Sequence, residues 1–317
     1  MQNKNPDMID FPTLSIIGPG RVGTAIGVLA ARAGYSIAAV GGRHMKRTVQ
    51  AAQRIGKNVR ACTMPEAAKS ANLVFITVSD DAIEQVCSDI ANQNAFNQNS
   101  IVIHCSGALS SDILSTARNN CQCFVSSMHP LQTFPTVDCA VEKLKGTYCF
   151  YEGDEEGFAV IENLAKRIGL QPVQINSSSK ILYHTAAVFA CNYLVALMDA
   201  AMKLAQLAQI DRSIAWSAFE PLVVSTIRNI AEVGPAQALT GPIARGDIET
   251  IAVHIEKLEL VEPYLASIYR TMGRHTVNIA VRRGSITKEK ANEIRNLLEE
   301  SGKRTQKAIE KKDIKSS

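Results

Sequence analysis

The chain has 317 residues, 46% of them hydrophobic, enough for one large domain or two ordinary ones with real cores. Its net charge is +4; nine Lys/Arg against six Asp/Glu from Lys288 onward place +3 of that in the tail, leaving no broad basic surface to bind nucleic acid. Eight cysteines without a CxxC pair, and a polar start MQNKNPDMID, predict reduced thiols in a cytoplasmic protein with no secretory leader and no metal site.

From Leu14 the pattern alternates short β-branched runs with helical stretches. The runs are Leu14–Ile17, Ile37–Val40, Leu73–Val78, Ile101–His104, Phe124–Met128, Tyr148–Tyr151 and Pro172–Ile175. Strands alternating with helices predict an α/β fold, a doubly wound and mostly parallel sheet covered on both faces. After Asn176 the strand signals stop. Ser177 to Gln209 reads as one long apolar helix; Ala215–Glu232, Asp247–Arg274 and Thr287–Lys312 read as further helices, with Gly-Pro breaks at 234–235 and 241–242. The chain therefore divides near Asn176 into a sheet domain, 11–176, and an all-α domain, 177–317. The most apolar stretch, Ala186 to Met198, is thirteen residues long, against the roughly 20 of a membrane span. A helix apolar nearly all round belongs in a domain centre or across a subunit interface, which predicts a homodimer through the second domain. The tail KRTQKAIEKKDIKSS reads as a solvated terminus.

The first strand leads into "GPGRVG". Gly18, Gly20 and Gly23 follow an apolar run and open a helix that Gly34 stops, and a second strand follows. Gly18 permits the sharp turn, Gly20 permits backbone to approach a pyrophosphate, and Gly23 lets helix pack close on strand. Phosphates would sit at the helix start, where unpaired N–H groups favour negative charge. The segment Gly18, Pro19, Gly20, Arg21, Val22 and Gly23 is thus the candidate cradle of a dinucleotide, and the first domain a dinucleotide-binding one. The end of the second strand selects which. An acid there would meet a ribose 2′-hydroxyl, but no Asp or Glu occurs between Asp10 and Glu66. Instead Gly41 and Gly42 leave room for a phosphate, and Arg43, His44, Lys46 and Arg47 surround it with donors, which predicts NADP.

Ligands of an open α/β sheet lie beyond the carboxyl ends of its strands. Val78 and Ser79 end one strand beside the cofactor path, with Asp80 and Asp81 as helix caps. Cys105 and Ser106 end the next, where the nicotinamide half would lie; Ser106 suits either the carboxamide or a capping role, and Cys105 reads as packing. His129, before Pro130, is a substrate-side donor or a turn residue. On the helix that follows, Lys180 and His184 lie about 40° apart, with Asn192 about 120° from Lys180. Such polar groups on an apolar helix need partners, and a ligand pocket is one place to find them. In "ALTGPIARGD", Asp247 caps the next helix, while Arg245 clamps a substrate carboxylate or bridges a dimer.

Together, "GPGRVGTAIG", "HCSGALS", "MHPLQTF", "KILYHTAAVFACNYLVAL" and "ALTGPIARGD" resemble a family of Rossmann-like NADP-binding proteins. Their helical C-terminal domain is similar to those of pyrroline-5-carboxylate reductase, ketopantoate reductase and 6-phosphogluconate dehydrogenase. The resemblance covers nearly the whole chain and implies a Rossmann-type sheet followed by an all-α domain. By similarity to the β-hydroxyacid dehydrogenases, Lys180 stands where their helix carries a catalytic lysine. His184 replaces the amide they hold one turn on, and Ser177-Ser178-Ser179 replaces their glycine-rich approach. The expectation is an NADPH-dependent oxidoreductase reducing a small carboxylated carbonyl or imine, with Lys180 or His184 delivering the proton. A non-catalytic NADP-binding regulator and an NADP-dependent hydroxyacid dehydrogenase fit the same residues.

Overall fold

The computed structural model describes residues 12–299. The polar start and the basic tail lie outside these described residues. In chain order, β1 (Leu14–Ile17) leads to α1 (Arg21–Arg32), β2 (Ile37–Gly41) to α2 (Met45–Ile55), β3 (Arg60–Cys62) to α3 (Met64–Lys69) and β4 (Leu73–Ile76) to α4 (Asp80–Asn92). Then β5 (Ile101–His104) leads to α5 (Ser115–Cys121), β6 (Phe124–Pro130) to α6 (Val137–Lys143), β7 (Tyr148–Gly153) to α7 (Phe158–Arg167), and β8 (Gln171–Gln174) ends the sheet. The strand order is β3-β2-β1-β4-β5-β6-β7-β8, parallel throughout except between β6 and β7. The expected parallel sheet therefore runs through β6, and the last two strands point the other way. The order reverses between β1 and β4, which opens the ligand crevice at their carboxyl ends.

Both faces of the sheet are covered, so its central strands are apolar without interruption. One face packs Leu14, Ile16, Phe75 and Ile103 against Ile26 of α1, Ala51 of α2 and Leu164 of α7. The other packs Ile17, Val74, Ile76 and Val102 against Ala67 of α3, Ile83 and Ile90 of α4 and Ala117 of α5. The strand β3 was not expected from sequence. Three residues at a sheet edge, with Arg60 exposed, carry no alternation to read.

After β8 the helices are α8 (Lys180–Ala187), α9 (Tyr193–Leu207), α10 (Arg212–Ala238), α11 (Pro242–Arg245), α12 (Ile248–Val261), α13 (Pro263–Arg283) and α14 (Lys288–Glu299). The single helix expected from Ser177 is helical along its length but interrupted by a π turn, Val188–Asn192, between α8 and α9. The expected helix over Asp247–Arg274 is two, since Pro263 lacks the N–H to continue α12. Gly234, at φ 79°, kinks α10 where the Gly-Pro break was read.

The chain forms two compact units that meet in sequence at Tyr193 and Leu194 rather than near Asn176, because α8 is fastened to the sheet by contacts described below. The second unit has its own core, Ile251, Ile255, Val277, Ala280, Ile294 and Leu298 from α12, α13 and α14. The run Ser177–Leu207, with mean hydropathy 1.6, is long and apolar enough to cross a membrane by length and composition, which corrects the thirteen-residue reading. None of its apolar window is buried in the chain, so it is not the helix of a domain centre. Leu182, Phe189 and Val195 are 73%, 64% and 67% exposed, and Leu222 on α10 is 63% exposed.

Candidate functional site

The glycine turn is built tightly against β4. Gly18 has φ +92°, and a Cβ on it would stand 2.7 Å from Val78 Cγ1, so only glycine fits. Thr77, just past β4, donates its hydroxyl to Gly18 O at 2.7 Å and its N–H to Ile17 O at 2.7 Å, fixing the loop. Gly20 is the N-cap of α1 with no side-chain cap, and no acidic residue lies in the first turn. A Cβ on Gly20 would meet only Thr77 O, at 3.6 Å, so its outer side is open to a ligand. Pro19 and Val22 are half-buried in this loop; Arg21 is exposed and donates to Phe134 O at 3.1 Å.

The start of α2 repeats the arrangement. His44 is its N-cap without a side-chain cap, and again no acid lies in the first turn. Arg43, Lys46 and Arg47 are exposed, with no hydrogen bond or ion pair among the described residues. Some helices are capped, α3 by a Thr63–Glu66 capping box and α10 and α12 by Asp211 and Asp247, while others, α4 and α13 among them, also start without a side-chain cap. What distinguishes α2 is the coincidence of bare N–H groups with three cations unpaired among the described residues, which makes its start a candidate anion site. The second of the glycines before it also has a packing role. A Cβ on Gly42 would stand 2.5 Å from Thr48 Oγ1 and 2.8 Å from Pro19 Cδ, so Gly42 packs the two loops together.

At the ends of β4 and β5 the side chains organise the loops. Ser79 is exposed at the N-cap of α4 and makes no side-chain cap; Asp80 accepts the Ser106 hydroxyl at 2.7 Å. Ser106 Oγ also accepts the N–H groups of Ala108 and Leu109 at 3.2 and 3.1 Å, which is the capping alternative for Ser106. Burial pushes the Cys105 thiol up to about 12, so it stays protonated and packs, as read from the sequence. His104 is fully buried, accepts Ser106 N–H on Nδ1 and bonds Ser110 O through Nε2; burial and the Lys180 ammonium hold it down to about 3.

His104, Ser127 and Glu152 are cross-strand neighbours on β5, β6 and β7 and so face the same side of the sheet. Lys180, the first residue of α8, is 1% exposed and closes over them. Its Nζ donates to Ser127 Oγ and lies 3.7 Å from Glu152 Oε1. Glu152 in turn accepts Ser111 N–H at 2.9 Å and the Ser111 hydroxyl at 2.8 Å. Burial lowers the lysine's pKa, and Glu152 opposes the shift.

One step along the same face, His129 and Phe150 are also paired across β6 and β7. Tyr183 of α8 packs on Phe150 with ring centroids 4.3 Å apart, and its hydroxyl lies 2.8 Å from His129 Nδ1. His184 stands 6.0 Å from His129, ring to ring. Both imidazoles crowd Gly107: a Cβ there would lie 2.5 Å from His184 Nδ1 and 2.9 Å from His129 Nε2. His184 Nδ1 is buried without a hydrogen-bond partner among the described residues. The structure thus brings together Lys180, His184 and His129. Asn192 is exposed at the end of the π turn, and Arg245 is exposed at the end of α11, neither bonded through its side chain among the described residues.

Sequence reasoning missed Thr77, Ser127, Glu152 and Tyr183. The signal for two of them was present, since Ser127 and His129 are polar at alternate positions of one strand and Glu152 ends an apolar run.

A doubly wound sheet with an uncapped glycine turn at its switch point defines a Rossmann-like domain, and residues 4–130 match the model of that domain. Residues 147–276, which begin just before the reversed strand β7, match the model of a domain of unknown function, DUF2520. Solved structures agree in fold. A protein of Bacteroides fragilis assigned as an NADP oxidoreductase is 22% identical, with a TM-score of 0.68 over 84% of this chain and 98% of that one. A protein of Thermotoga maritima is 25% identical, with a TM-score of 0.67 over 86% and 99%. A reductive aminase of Aspergillus terreus, solved with NADPH and ethyl-5-oxohexanoate, is 15% identical, with a TM-score of 0.59 over 93% and 94%. No curated protein is significantly similar in sequence.

Proposed function

We propose that the chain is an NADPH-dependent oxidoreductase that reduces a small carboxylated carbonyl or imine compound. The observation that carries this reading is the glycine turn at the sheet's switch point, with Arg43, Lys46 and Arg47 unpaired among the described residues beside the start of α2. The residues fit the cofactor: Gly18, Pro19, Gly20, Arg21, Val22 and Gly23 would hold the pyrophosphate, and Gly42 and Arg43 the 2′-phosphate. Val78, Ser79, Cys105 and Ser106 border the path toward the nicotinamide. When bound, NADPH supplies a hydride. The similar fold of the NADPH-bound reductive aminase supports this choice of cofactor.

The protein's part is to hold the acceptor and manage protons. Lys180, His184 and His129 form the proton-handling group, with the two imidazoles against Gly107 and the ammonium behind them. Arg245 and Asn192 are exposed candidates for binding the substrate, the guanidinium suited to a carboxylate. The uncovered apolar side chains of α8, α9 and α10 support a homodimer formed through the helical region. The deciding experiment is NADPH binding followed by NADPH consumption with a panel of 2-oxo acids, each with and without amines. Turnover with a member of the panel is the expected result; absence of NADPH binding overturns the reading.

A further inference from the structure

Tyr183 and His129 form a pair whose geometry fixes more than a contact. The Tyr183 ring is held on Phe150, and the His129 ring stands edge-on to it, centroids 5.7 Å apart. The hydroxyl has one hydrogen-bond partner among the described residues, His129 Nδ1 at 2.8 Å. The other ring nitrogen, Nε2, has no hydrogen-bond partner among the described residues and, unlike His184 Nδ1, is not sealed within the protein. It lies beside Gly107, at the carboxyl edge of the sheet.

A neutral imidazole carries one N–H, and its place is set by the bond made at the other nitrogen. A phenol is the better donor of the pair and imidazole nitrogen the better acceptor, so Tyr183 O–H donates to Nδ1 and the imidazole proton resides on Nε2. We propose that Tyr183 is a positioning residue that locks His129 in the Nε2–H tautomer, presenting a neutral donor beside Gly107 to the oxygen or nitrogen of the compound being reduced. The donor role rests on the oxidoreductase reading above; the tautomer does not.

The charged and titratable groups around His129 favour this state. From α8 it faces Lys180, Tyr183 and His184, from β5 it faces His104, and Glu152 of β7 lies one step along the same face of the sheet. Burial, the Lys180 ammonium and His184 hold His129 down to about 4, so it is neutral at pH 7 and remains a donor with a fixed direction. A charged imidazolium would present N–H on both nitrogens and reverse the Tyr183 bond, with Nδ1 now the donor.

The test is the side-chain ¹⁵N spectrum of the intact protein at pH 7, with His129 assigned by its loss in His129→Gln. The expected result is an unprotonated Nδ1 and a protonated Nε2. In Tyr183→Phe the proportion of Nδ1–H is expected to rise at least threefold and the titration midpoint to move toward 6.5, with NADPH affinity within twofold. A wild-type spectrum with the proton on Nδ1, or a Tyr183→Phe spectrum unchanged from wild type, overturns the proposal. Should Tyr183→Phe not fold, the wild-type spectrum still decides the tautomer. Failure of the wild type to bind NADPH, measured by cofactor fluorescence, overturns the donor role and the oxidoreductase reading while leaving the tautomer result standing.

Discussion

Lys180→Met separates the anchoring role of the ammonium from the rest of the site. The substitution keeps much of the volume but leaves Glu152, 2% exposed, with only the Ser111 N–H and hydroxyl as partners. Removing one member of a buried ion pair costs about 3–5 kcal/mol, since the remaining charge stays desolvated. At about 2–4 °C per kcal/mol for a unit of this size, the melting temperature should fall by on the order of 10 °C. Adding Glu152→Gln removes the stranded charge and should restore at least half of the loss, because the penalty is a coupling between the two residues. Thermal and urea unfolding at pH 7 and one fixed protein concentration measures both variants. A single variant within about 1 kcal/mol of wild type, or a double variant no more stable than the single, would refute the argument that the pair fastens α8 to the sheet.

Three further outcomes follow from the same structure. NADPH should bind at least about tenfold tighter than NADH, or about 1.4 kcal/mol, and Arg43→Asp should erase the difference; equal affinities in the wild type would count against the 2′-phosphate site. Light scattering should give a dimer mass at micromolar concentration, and Leu222→Glu, which places a charge on an exposed apolar face, should shift it toward monomer. Acid should destabilise the fold early. His104 and His129 are held at about 3 and about 4, so below about 6.5 the unfolded chain takes up protons that the folded chain refuses. Stability is then full above that range and falls by up to about 1.4 kcal/mol per pH unit for each histidine, and unfolding midpoints unchanged from pH 7 to pH 5 would exclude it.

The sheet was readable because burial on both faces makes its central strands continuous apolar runs, and because the glycine turn has a steric reason at each step. Within the candidate site, Lys180, His184 and His129 were named from type and place alone. What joins them was not visible, because the partners come from strands far along the chain: Ser127 meets Lys180 only after β6 is paired with β7 in reverse. Local periodicity carries no sign of that reversal. It failed for Asn192 as well, since the π turn Val188–Asn192 breaks the 3.6-residue count from which its angle to Lys180 was taken. The split of the chain was misplaced for a related reason, as composition changes at Asn176 while the contacts of α8 tie it backward to the sheet.

The crowding at Gly107 bears on how such a chain can change. Two imidazoles from separate elements occupy the volume that any side chain at position 107 would need. Replacing the glycine first meets both rings, while replacing one ring first leaves the other still in the way. The three positions are therefore epistatic, and the accessible order of substitutions starts with the histidines. A lineage that keeps both imidazoles inherits the glycine with them, whatever happens to the surrounding loop.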